Sequence, residues 1–96
     1  MKMIMIAYNE AIDMEVMEAL AECRLKNYTK VTGVYGRGTT SGTHLGTDIW
    51  PGRNNVLYVA GGDEDVSHIL GCIRCLRERY GREGIKAFVI PLEDVT

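Results

Sequence analysis

Four short runs of apolar or β-branched residues alternate with two helix-periodic segments, and that order leaves few topologies open to the chain. The first run, Met3-Ile4-Met5-Ile6-Ala7, is too short for a helix and reads as a strand buried on both faces. Ile12, Val16, Leu20 and Cys23 then recur at helical spacing, with Glu15, Glu18 and Glu22 between them and Asn9 or Asp13 able to cap the start. Tyr28 to Tyr35 is rich in β-branched and aromatic residues and predicts a second strand. Val56 to Ala60 predicts a third. A second helix runs from Asp63 to Tyr80, opened by three acidic residues at its dipole-positive end and stopped by Gly81. Lys86 to Leu92 predicts the last strand.

The order is β-α-β-loop-β-α-β. With right-handed crossovers it gives a ferredoxin-like α+β sandwich, a four-stranded antiparallel sheet with two helices on one face. Nothing in the chain covers the other sheet face, so its apolar residues predict self-association. At 96 residues there is room for one core, and residues 1–96 read as a single domain. With 46% hydrophobic and 25% charged residues, disorder is excluded, and no apolar run approaches the ~20 residues of a membrane span. The net charge of −2 comes with no basic stripe, which argues against nucleic acid as a partner. The N-terminus lacks the apolar length of a signal peptide, which predicts a cytoplasmic protein without membrane insertion. Three cysteines, an odd number, predict reduced thiols rather than a disulfide framework.

Between the second and third strands lies GRGTTSGTHLGTDIWPGRNN, glycine-rich and about 20 residues long, a length usually reserved for functional loops. Such a loop can cradle phosphate with its backbone N–H groups, or be a plain long hairpin. It joins two strands, so it is not a dinucleotide fingerprint, and it lacks the Gly-Lys-Ser/Thr ending of a P-loop. Trp50, alone in a polar segment, is the kind of side chain that anchors an interface. Ser41, His44 and Asp48 share the loop, but a hydrolytic triad needs locked geometry that a long loop does not supply alone, so no catalytic residue is assigned. On the second helix, Val66, Ile69, Leu70, Ile73, Leu76 and Tyr80 form the core face. His68, Cys72 and Cys75 fall together on the other side at i, i+4 and i+7, a donor set that suits Zn²⁺ or Cu⁺. The plainer reading is three unrelated surface residues, with Cys72 at the core margin and Arg79 on the same face repelling a cation. The turn Tyr80-Gly81-Arg82-Glu83-Gly84-Ile85-Lys86 reads either as an anion clamp or as a helix stop with a solvated turn.

Three stretches taken in order resemble the P-II signal-transduction family. Val31 to Gly38 resembles the strand that leads into that family's T-loop, Asp63-Glu64-Asp65-Val66 resembles the start of its second helix, and Gly81 to Pro91 is similar to its B-loop and last strand. The resemblance runs nearly end to end. It implies a homotrimer that binds an adenine nucleotide (ADP, AMP or ATP) in clefts between subunits and is a regulator rather than an enzyme. Gly36, Arg37, Gly38 and Thr39 would line the nucleotide from one subunit. Gly81, Arg82, Gly84 and Lys86 would meet it from the next, with Lys86 the best single match. The T-loop, about residues 37–54, would carry the ligand state to a target protein such as a transporter, enzyme or regulator, with His44, Asp48 and Trp50 as contacts.

Three departures qualify what is implied. The T-loop is shorter than in the nitrogen regulators and has no tyrosine, which speaks against uridylylation. The C-terminal arginines that help to hold a triphosphate are missing, and the B-loop is about one residue shorter, which favours ADP or AMP over ATP. A divergent signalling member is thus expected. The alternative is a small trimeric metal-binding protein using His68, Cys72 and Cys75, or His44 with Asp48.

Overall fold

The computed structural model describes residues 1–36, 52–81 and 84–96. Strand β1 (Lys2–Asn9) is followed by a 3₁₀ turn (Glu10–Ile12) and helix α1 (Asp13–Glu22). Strands β2 (Thr29–Tyr35) and β3 (Arg53–Gly61), helix α2 (Asp63–Tyr80) and strand β4 (Ile85–Pro91) complete the chain. The four strands form one antiparallel sheet in the order β2-β3-β1-β4, the ferredoxin-like arrangement expected. Asn9 caps the 3₁₀ turn, its side-chain oxygen accepting from the Ala11 N–H, and Ile12 of that turn reaches the core.

The core lies between one sheet face and both helices. Ile4, Ile6 and Tyr8 of β1, Leu57 and Val59 of β3 and Ile85 of β4 meet Val16 and Leu20 of α1 and Val66, Ile69, Ile73 and Leu76 of α2. These are the i, i+3, i+4, i+7 positions read from the sequence, because a helix docked on a sheet buries one stripe and leaves the rest in water. None of the helices among the described residues is long and apolar enough to cross a membrane.

Two expectations are corrected. β1 is not buried on both faces: Ile4, Ile6 and Tyr8 are buried, while Met3, Met5 and Ala7 between them are half-buried. The helices cover one face, and the register puts Met3 beside Ala60 and Ile90, and Met5 beside Tyr58 and Phe88, on the open one. β3 begins at Arg53 rather than Val56, since Arg53 and Asn54 pair with Tyr35 and Val34 by backbone, for which side-chain polarity is no obstacle.

Candidate functional site

The base of the long connection is pinched shut by two glycines. The Gly36 N–H donates to the Gly52 carbonyl at 3.1 Å, closing the β2–β3 hairpin just beyond the Tyr35–Arg53 pair. A Cβ at Gly52 would lie 2.6 Å from the Gly36 carbonyl oxygen, so only glycine allows this approach. Arg37, Gly38, Thr39, Ser41, His44, Asp48 and Trp50 lie outside the described residues.

The second glycine turn follows α2. Gly81 keeps helical angles, Gly84 has φ of +79°, and the Gly84 carbonyl accepts from the Asn9 N–H at 3.1 Å, tying the turn to the end of β1. Lys86 lies two residues further, exposed, and its register with Ala7 places it on the open sheet face. Arg82 lies outside the described residues. Both glycine turns therefore sit at the same end of the sheet, where β1 finishes. They lie on opposite edges, β2 and β4, which three strand spacings separate by about 14 Å. Within one chain they do not meet.

Beside the hairpin base is a polar group that pattern reading missed. A cleft of about 460 Å³ is lined by residues that include Asp13, Thr32, Arg53 and Asn55. Asp13 Oδ1 accepts from the Tyr8 hydroxyl at 2.5 Å and from Asn55 Nδ2 at 3.1 Å, and lies 2.7 Å from Lys30 Nζ. Partial burial pushes the Asp13 carboxyl up, but the hydrogen bonds from Lys30, Tyr8 and Asn55 outweigh it and hold the group below the usual carboxylate range. Burial, reinforced by the bond to Asp13, drives the Tyr8 phenol well above its ordinary value. Asn55 is only 4% exposed, and its side-chain oxygen meets no donor among the described residues. The sequence carries a faint trace of this group. Tyr8 continues the alternation of Ile4 and Ile6, which places a phenol in the core and calls for a polar partner.

The cysteines overturn the expectation of reduced thiols. Cys23, at the end of α1, and Cys72, in the middle of α2, form a disulfide with a Cα separation of 6.6 Å, and Cys75 is free and exposed. Cys72 is thus not the free thiolate expected beside His68 and Cys75. The odd count misled because one bridge and one free thiol satisfy it equally well. His68 joins the bridged pair: one ligand atom from each of Cys23, His68 and Cys72 lies within 4.8 Å of the others, a group that does not include Cys75.

A family model described as "Nitrogen regulatory protein P-II" matches residues 1–96. No curated protein sequence matches the chain. Among solved structures, the chain is similar to CPII, a nitrogen regulatory PII-like protein of Thiomonas intermedia solved with ADP, AMP and bicarbonate. The TM-score is 0.65 at 19% identity, over 92% of this chain and 84% of that one. The apo form of that protein gives a TM-score of 0.65 at 16% identity, over 92% and 84% of the two chains. A PII-like signaling protein of Thermus thermophilus gives 0.61 at 22% identity, over 92% of this chain and 81% of that one. At these identities the likeness shows the fold.

Proposed function

The chain belongs to the nitrogen regulatory protein P-II family, and from that premise we propose that it is a cytoplasmic, non-enzymatic signalling protein. It acts as a homotrimer that takes an adenine nucleotide between subunits and uses residues 37–54 to control a target protein. One observation carries the reading. The two glycine turns sit at one end of the sheet on opposite edges, so a cleft containing both needs the β2 edge of one subunit and the β4 edge of the next. Gly36, Arg37, Gly38 and Thr39 belong to the first wall, and Gly81, Arg82, Gly84 and Lys86 to the second. The apolar residues of the open face give three subunits something to bury, and CPII, similar in fold, was solved with ADP and AMP. His44, Asp48 and Trp50 are the residues of the connection assigned to the target. Ligand binding changes that segment's state only through differential affinity, which phosphate contacts at its base would supply.

Native mass spectrometry with ADP, AMP and ATP is the test. A trimer taking up to three nucleotides is the expected result, with ADP or AMP held more tightly than ATP. Lys86→Ala should weaken uptake by about 1–3 kcal/mol, the worth of a charge-assisted hydrogen bond. A trimer that ignores every nucleotide removes the ligand from this reading, and a monomer removes the cleft itself.

A further inference from the structure

The geometry points to a second site, independent of the nucleotide cleft: when the Cys23–Cys72 disulfide is reduced, Cys23, His68 and Cys72 form a thiolate–imidazole site for a thiophilic d¹⁰ cation, Zn²⁺ or Cu⁺. Two elements build it. His68 and Cys72 are four residues apart on α2 and so point from the same helix face. Cys23 arrives from α1, fixed by the Cys23 N–H donating to carbonyls of α1's last turn at 3.1 Å. A cleft of about 580 Å³ opens beside them, so an ion and a water have room to enter.

The distances fit. Metal–sulfur bonds of about 2.3 Å and a metal–nitrogen bond of about 2.0 Å at tetrahedral angles place the sulfurs ~3.8 Å apart and each ~3.5 Å from the nitrogen. The three donor atoms already lie within 4.8 Å of one another. The two sulfurs must move apart by rotation about their own side chains, which a Cα separation of 6.6 Å permits without shifting the helices. Arg79, which also lines the cleft, would repel a bare cation, but the two thiolates carry a charge that a divalent ion only balances.

The chemistry closes. A thiol reductant gives two electrons to the Cys23–Cys72 bond and is itself oxidised to a disulfide, leaving two cysteine thiols. Metal binding then displaces both thiol protons, neutral His68 gives a ring-nitrogen lone pair, and water fills the fourth position of Zn²⁺. Disulfide and metal are mutually exclusive, since both use the same two sulfurs. The site is therefore filled only under reducing conditions.

Competition of the purified protein against a chromophoric chelator, with Zn²⁺ and separately with Cu⁺, tests this. Reduced protein should take one ion per chain and oxidised protein none. Cys23→Ser and His68→Ala, both reduced, should each weaken binding by at least about tenfold, and Cys75→Ser should leave it unchanged. In oxidised His68→Ala a count of one free thiol shows that α1 and α2 still dock. Co²⁺ added to reduced wild-type protein gives a reading that needs no variant: tetrahedral bands with thiolate charge transfer are expected. Equal uptake by oxidised and reduced protein, no uptake by either, or a Co²⁺ spectrum without thiolate bands would overturn the site. Loss on Cys75→Ser with retention on Cys23→Ser would overturn it in favour of His68, Cys72 and Cys75 on α2 alone.

Discussion

One oxygen of Asp13 receives three donors, from Tyr8, Asn55 and Lys30. Asp13→Ala leaves the buried Asn55 amide without an acceptor and the Tyr8 phenol with only the weak acceptor Met17 Sδ at 3.6 Å, and should lower stability by about 1–3 kcal/mol in urea unfolding. Lys30 adds little to that figure, because a pair this near the surface is screened. The carboxyl titrates lower folded than unfolded. Its contribution is therefore complete above the unfolded value of about 3.9 and is lost as pH falls through the folded one. Wild-type protein should lose stability more steeply than Asp13→Asn between about pH 5 and 2, and identical slopes would show that the bonds to Asp13 do not favour its charged form. Beyond the phenol of Tyr8 the group was not legible in the sequence, since Asp13 read as a helix cap and Asn55, 42 residues away, as the end of a loop. Periodicity reports which face a residue occupies. It carries no information about which polar side chains the fold brings together there.

Elements were more legible than their ends. α2 followed its apolar stripe because 18 residues of 3.6-residue period leave one way to dock. The start of α1 tightened into a 3₁₀ turn, and β3 gained three residues at its start from pairing that its partner dictates. The hairpin base shows how a local contact governs an element. At Gly52 a Cβ meets backbone, whereas at Gly36 it meets the Asn54 side-chain nitrogen, also at 2.6 Å, which can swing away. Gly52→Ala should therefore cost about 1–3 kcal/mol as an overpacking substitution, and Gly36→Ala distinctly less. Equal thermal unfolding midpoints for the two variants would show that the glycine contact does not hold the base shut. The helices are joined by the one bond that the sequence argued against. By chain entropy a bridge across 49 residues contributes about 2–4 kcal/mol. A thiol reductant should lower the unfolding midpoint of wild-type protein and leave that of Cys72→Ser unchanged.

At the scale of the whole molecule, the open sheet face decides between a lone subunit and an assembly. Phe88 and Ile90 are 46% and 45% exposed and with Tyr58 flank half-buried Met3 and Met5, on a surface that extends through Val56 to Val31. That surface was legible, because two helices can cover only one face of four strands, and the order of elements assigned both to the same face. Phe88→Glu places a charge on the open face, at the edge strand β4. Since Phe88 is not a member of the single-chain core, the variant should keep its circular dichroism spectrum, and on the proposed trimer its sedimenting mass should fall from three chains to one. If each nucleotide needs Gly36 from one subunit and Lys86 from its neighbour, Phe88→Glu must lose nucleotide binding together with the trimer, although it alters neither wall. Lys86→Ala should do the reverse, weakening binding in a trimer that stays intact. A Phe88→Glu monomer that still binds nucleotide at wild-type strength would place the whole site within one chain, and the separation of the two glycine turns across the sheet would then have no part in it.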